Sequence, residues 1–369
     1  MPLIFISAGD PSGDIHAARL MSEMKGIIPD LEFIGIGGDM MQAEGLKSII
    51  PISDISVVGF WEVLKKINLF RNLMSNCKDI LLNQKVDLFL PVDYPGFNIK
   101  LAKYAKSQNI PVAYYIAPQL WAWGQKRAKK LSNIDKLFVV FPFEVDFFKK
   151  YGINAEFVGH PLLDNPLLKN NPPDFSEREN IIALLPGSRQ QEIEKHLELF
   201  VQSALLFKQA YPEFKITLAK NQNTNIDIYL KFLRNNNILI EENSLELMKK
   251  AKIGIVKTGT SNLEAALAGM PFVMVYKTSF FSYFLSKQLI DLKYISIVNI
   301  LTNSLIIPEV IQNEATPQKI SSCLIEILKS NEKQKLINDT YNEIRIKLGS
   351  NCASQTAAEK IRNYFFNKI

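Results

Sequence analysis

Short apolar runs alternate along the chain with longer stretches whose apolar positions recur at helical spacing. The runs predict buried strands and the periodic stretches amphipathic helices. Strands are expected at 3–7, 31–36, 86–91, 111–116, 136–140 and 155–158, then at 181–185, 214–219, 237–241, 252–256 and 271–275. Alternation of this kind indicates α/β architecture, with parallel sheets flanked by helices. Between the two sets lies a stretch rich in Pro, Asn and Asp, 159–179, which reads as an interdomain linker. Two Rossmann-like domains joined near residue 165 are therefore expected. After Thr316 three helical patterns close the chain, and the last, 353–366, can pack on either domain.

Composition narrows the function classes. The 369 residues exceed the roughly 250–300 at which one core stops growing, so two domains are the default. A net charge of +6 is mild for this length, and the densest basic cluster is Lys126, Arg127, Lys129 and Lys130, so nucleic acid is not indicated. Cys77, Cys323 and Cys352 share no close spacing, which favours a reduced cytoplasmic setting over a secreted one. His16, His160 and His196 are too far apart for a zinc motif, and the chain has no Asp-x-Asp, the usual diphosphate–metal clamp, so with helix termini and Arg189 to take the leaving charge no metal is expected. The sequence opens on a strand pattern without a charged leader, which argues against a signal peptide. No apolar run is long enough to span a membrane.

Candidate chemistry sits in strand-to-helix turns. The run 181–185 leads into Pro186-Gly187-Ser188-Arg189 and then a helical pattern over 192–210. A small glycine turn leaves backbone N–H groups free, and Arg189 adds a forked permanent charge. This suits a diphosphate; the Gly-Lys-Ser/Thr loop of common NTPases is missing, so sugar nucleotides come first among ligands. The plain alternative is a βα turn whose Arg makes a surface salt bridge. A second such turn, Thr258-Gly259-Thr260, follows the run 252–256. There Ser261 and Glu264 fit a capping box, while Glu264 is equally placed to accept from ribose hydroxyls.

In the first half, Gly9-Asp10-Pro11-Ser12-Gly13-Asp14 is a weak match to a dinucleotide loop, interrupted by Pro11 and lacking the third glycine. Ser12 or Asp14 is expected to cap the next helix, and Asp10 to reach a substrate hydroxyl. Asp93 follows the run 86–91, at the strand end that usually faces a ligand, or else forms a turn before Pro95. Trp121 and Trp123 lie in one loop, which they can simply pack down. Over 57–71, Phe60, Val63, Leu64, Ile67 and Phe70 form a helical stripe that suits a core. Trp61, Lys65, Lys66 and Arg71 lie off that stripe, the pattern of a helix lying on an anionic membrane.

These residues together resemble a known family. Gly9 to Asp14, Gly35-Ile36-Gly37-Gly38, Val58-Gly59-Phe60, Asp93-Tyr94-Pro95-Gly96-Phe97-Asn98, Pro118 to Trp123, Phe141-Pro142-Phe143-Glu144 and Val158-Gly159-His160-Pro161 occur in its order. So do Leu184 to Arg189, Thr258-Gly259-Thr260 with Glu264, and Tyr294-Ile295-Ser296 before Asn299. Over nearly its whole length the chain resembles the lipid-A-disaccharide synthases. The resemblance implies a GT-B glycosyltransferase, with two Rossmann-like domains facing an interdomain cleft. It implies an inverting, metal-independent enzyme that joins UDP-2,3-diacylglucosamine to 2,3-diacylglucosamine 1-phosphate through a β(1→6) bond and releases UDP. It also implies peripheral association with the cytoplasmic face of a Gram-negative inner membrane, and leaves a homodimer open. An epimerase or binding module of the same architecture is the alternative.

The expected layout is an acceptor-binding domain over 1–165, a UDP-sugar-binding domain over 166–350, and a closing helix over 351–369 on the first domain or a partner chain. Gly187, Ser188, Arg189, Thr258, Gly259, Thr260 and Glu264 are expected to hold UDP. Ser12, Asn98 and Asn299 are expected to contact substrate, and Phe60, Trp61, Lys65 and Lys66 the membrane. Asp93 is the expected general base, followed by Asp10 and then His16. The family usually has Glu where Asp10 stands, and commonly an acidic residue where Gly96 stands. No cofactor is expected, since the UDP-sugar is the donor substrate.

Overall fold

A computed structural model of the chain describes residues 1–55, 67–122, 124–221, 224–278, 293–349 and 352–367. The chain divides into two compact units, Met1–Asp164 with Leu348–Ile369, and Asn165–Lys347.

In the first unit β1 (Leu3–Ser7), β2 (Glu32–Ile36), β3 (Leu46–Ser48) and β4 (Leu88–Pro91) form a parallel sheet in the order β3-β2-β1-β4. A second parallel ladder comprises β5 (Ala113–Tyr115), β6 (Lys136–Val139) and β7 (Ala155–Phe157). Single parallel bridges, Phe89 to Val112 and Val92 to Tyr115, carry the pairing from β4 to β5. The strand order thus reverses between β1 and β4. Side chains alternate across the sheet, as the two-residue repeat requires. Ile4, Ile6, Leu88 and Leu90 share one core with Ala17, Leu20, Met21 and Met24 of the Pro11–Ile27 helix. Phe5 and Phe89 face the other core, with Leu73, Cys77 and Leu101, and meet edge to face at 5.6 Å. The closing Ala353–Ile361 helix packs into the first core through Ala357, Ala358 and Ile361, joined by Phe366. Asp164 caps it, accepting from Ala353 N at 2.6 Å and Ser354 N at 2.9 Å.

In the second unit β8 (Glu179–Leu185), β9 (Lys215–Ala219), β10 (Leu239–Glu241), β11 (Ala251–Lys257), β12 (Phe272–Tyr276) and β13 (Glu309–Ile311) form one parallel sheet. Its order is β10-β9-β8-β11-β12-β13, reversing between β8 and β11. This is the doubly wound arrangement, which binds ligands beyond the carboxyl ends of the two strands where the order reverses. Arg178 is buried beneath the sheet and donates to the carbonyls of Met248, Lys249, Ala251 and Ala268, collecting two helix C-termini. Among the described residues no helix is long and apolar enough to cross a membrane.

Candidate functional site

In the first unit the turns after β1 and β4 carry Asp10 and Asp93, so both carboxylates leave the sheet at its reversal point. Asp10 is the N-cap of the Pro11–Ile27 helix and accepts from Gly13 N at 2.7 Å. That corrects the expected cap, because the helix begins one residue before Ser12. Asp14 instead reaches across to the next helix and accepts from the backbone N–H groups of Gly38, Met40 and Met41. Ser12 is exposed, with its Oγ 3.5 Å from His16 Nε2. Burial, with the Arg19 charge adding to it, pushes His16 down to about 4, and its Nδ1 is buried without a partner.

Asp93 has φ of 44° and Tyr94 of 53°, two successive non-glycine residues in the left-handed region. Their conformation is held by long-range bonds. Tyr114 Oη donates to the Asp93 carbonyl at 2.6 Å, Asn98 Nδ2 donates to it at 2.8 Å, and Asp93 N donates to Tyr115 O. Burial, and after it the charge of Asp10, pushes the Asp93 carboxyl up to about 7, against a hydrogen bond from Tyr94 N–H. Asp93 is thus poised for proton transfer near neutrality. Behind it Glu144 is fully buried, accepting from Trp121 Nε1 at 2.8 Å and from the N–H groups of Val140 and Phe141. Trp121 packs edge-on against Phe141 and Phe143, so it pins its loop down. Trp123 lies outside the described residues.

In the second unit the two glycine turns leave neighbouring strands, since Leu185 of β8 pairs with Val256 of β11. Ser188, Arg189, Gly259 and Thr260 are exposed there, and Gly187 and Thr258 half-buried. Gly187 and Gly259 have φ of 129° and 142°, which favours glycine at both turns. Each turn opens a helix, Gln190–Ala210 and Thr260–Leu267, whose N-terminus carries the positive end of the helix dipole. Gly259 is the N-cap of the second helix. Ser261 and Glu264 therefore form no capping box; their side chains bond to each other, and burial raises Glu264 above the usual carboxylate range. Arg189 pairs with Glu192 at 3.2 Å.

Two residues expected at the substrate are committed within the fold. Asn98 is fully buried, accepting from Ser7 Oγ and donating to the carbonyls of Ser7 and Asp93. Asn299 is also fully buried; its Nδ2 donates to Ile307 O and Glu309, and its Oδ1 accepts from Ile306 N and Ile307 N. Asn98 acts on the site by holding the Asp93 carbonyl, and Asn299 by tying a loop to β13. Phe60, Trp61, Lys65 and Lys66 lie outside the described residues. Tyr114, Glu192 and Lys257 join the site without having been singled out from sequence; Lys257, a cation just before the Thr-Gly-Thr turn, was the one legible hint.

The family model described as lipid-A-disaccharide synthetase matches residues 4–364. The chain belongs to that family. A lipid-A-disaccharide synthase from Nitrosococcus oceani is 36% identical, covering 97% of this chain and 95% of that protein. One from Coxiella burnetii is 32% identical, with 99% of each covered. The fold matches that of UDP-GlcNAc 2-epimerase from Neisseria meningitidis solved with UDP-GlcNAc, at a TM-score of 0.64, 14% identity, and coverage of 98% and 99%. The fold is GT-B, and the lipid-A-disaccharide synthetase family makes this chain a glycosyltransferase of lipid A disaccharide formation, acting on a UDP-sugar and a lipid.

Proposed function

We propose that the chain transfers 2,3-diacylglucosamine from UDP to the 6-hydroxyl of 2,3-diacylglucosamine 1-phosphate, with inversion and without a metal. The reaction needs a base for the hydroxyl proton and stabilisation for the departing diphosphate. Asp93 takes the proton, because it is the carboxylate at the reversal of the first sheet that is raised to about 7. The hydroxyl becomes acidic only as its bond to carbon forms, so a carboxylate is basic enough. Asp10 keeps Asp93 proton-hungry and orients the acceptor. Gly187, Ser188, Arg189, Thr258, Gly259 and Thr260 receive the UDP diphosphate, and Glu264 the ribose. Arg189 and the two helix N-termini supply positive charge of the kind a metal clamp would otherwise bring. The lipid substrates and the segment 57–71 support docking on the anionic cytoplasmic face of the inner membrane.

The observation that carries this reading is the adjacency of two exposed glycine turns at neighbouring strand ends. The test is to follow UDP release from the donor with and without the acceptor lipid. Release should require the acceptor, and Asp93→Asn should lose about 10²–10⁴-fold in turnover while still binding UDP. Release without acceptor, or return of an epimerised donor, would sink the transferase reading.

A further inference from the structure

Glu192, in the first turn of the Gln190–Ala210 helix, gathers the charges at the β8–β11 edge. Its Oε1 lies 2.8 Å from Lys257 Nζ and 3.2 Å from Arg189 Nη1. Lys257 ends β11 and Arg189 follows the β8 turn, so the cations come from neighbouring strands. The other oxygen folds back over the turn: a Cβ placed on Gly187 would sit 2.7 Å from Glu192 Oε2. One carboxylate thus collects two cations and lies against the turn backbone, the donor set that binds a phosphate oxygen. Two positive charges against one negative leave one positive charge in surplus.

The surroundings allow the carboxylate to leave. His196 is buried and its Nδ1 lies 2.7 Å from the Glu192 carbonyl, while its Nε2 accepts from Lys277 N. The Glu192 main chain is therefore fixed to the exit of β12, and only the side chain need rotate. Lys257 is well shielded at 17% exposure, whereas Arg189 at 51% is largely solvated. The shielded ammonium will feel an incoming anion more strongly than the solvated guanidinium.

We propose that Lys257 is a second cation for the donor diphosphate beside Arg189, and that Glu192 is a resident anion which the diphosphate displaces. This rests on the UDP site proposed above. Glu192 holds both cations in place until the diphosphate arrives; on binding it yields them to the phosphate oxygens. Because it competes for the same donors, Glu192 also weakens the hold on product UDP and eases its release.

The test is calorimetric titration of UDP and of uridine into the full-length protein and four variants. Lys257→Met should weaken UDP binding about tenfold, the effect of losing one charge-assisted hydrogen bond, and leave uridine binding unchanged. Lys257→Arg should stay within about threefold of wild type. Glu192→Gln should tighten UDP binding severalfold. If Lys257→Met binds UDP like wild type while Arg189→Ala does not, the proposal falls and the UDP site stands. If Glu192→Gln binds UDP no more tightly than wild type, Glu192 is a helix-capping group and the displacement is overturned. If wild type binds no UDP, both readings fail together.

Discussion

At the scale of the residue, Asp93 shows how a fold can spend stability on chemistry. Two consecutive left-handed non-glycine residues cost about 1–3 kcal/mol each and persist only where their surroundings over-determine them. Here Tyr114, Asn98 and Tyr115 fix the main chain of Asp93 from three directions. The carboxylate that results is reluctant to ionise, through burial first and the Asp10 charge second. A base must be ionised to act, so kcat/KM should rise with pH through a limb near 7. Asp10→Asn removes the second cause, so in that variant the limb should move to lower pH. A pH–rate profile with an unmoved limb would show that the two carboxylates do not interact. Stability follows the opposite sign. The folded state holds the Asp93 proton more tightly than the unfolded chain, so this group's contribution is fully present below the ordinary carboxylate range and is lost as pH rises through about 7.

At the scale of the element, the glycine turns are set by backbone conformation more than by space. A Cβ on Gly259 would meet nothing within 4 Å, yet its φ of 142° is strained for any other residue. Gly259→Ala should therefore cost about 1–3 kcal/mol in urea unfolding, without a packing clash; a cost near zero would mean that the turn relaxes freely. These turns were legible from sequence because an apolar run, a glycine and a helical pattern are all local signals. The strands with strong two-residue or fully apolar patterns were legible for the same reason. β3 and β13 were not: Leu-Lys-Ser and Glu-Val-Ile are short, mixed edge segments that only the neighbouring strand defines. Caps were misplaced because they depend on a helix start to within one residue. With Gly259 as N-cap, Ser261 lies inside the first helical turn and cannot be the capping partner of a box with Glu264. Asn98 reads as a ligand residue because a main partner, Ser7, is 91 positions away. The Lys257–Glu192 pair spans 65 positions and was invisible for the same reason.

At the scale of the whole molecule, the chain passes between its two units twice, after Asp164 and after Lys347. The last segment therefore completes the core of the unit that the first residues begin. Ala357, Ala358, Ile361 and Phe366 are buried with Ile4, Ile6 and the Pro11–Ile27 helix, and Asp164 caps the helix that carries the first three. Outside this core, Glu156 binds Lys360 at 2.7 Å and Tyr364 Oη at 3.1 Å, tying the same segment to β7. Loss of one buried Ile to Ala typically costs about 2–5 kcal/mol, and a whole domain is stable by only about 5–15 kcal/mol. Deleting residues 348–369 removes Leu348, Ala353, Ala357, Ala358, Ile361 and Phe366, all buried, and the helix that Asp164 caps, so the first unit should not stay folded. The second unit has its whole six-stranded sheet within Asn165–Lys347 and keeps it. The truncated chain should therefore lose all transferase activity, keep UDP affinity within a few-fold, and retain one unfolding transition. UDP at a hundred times its Kd should stabilise that transition by about 2.7 kcal/mol. Ile361→Ala in the full chain should lower only the transition that UDP leaves unmoved. If one cooperative transition is lost in the truncated chain along with UDP binding, the two units depend on each other for folding. The donor half would then not be an independent body.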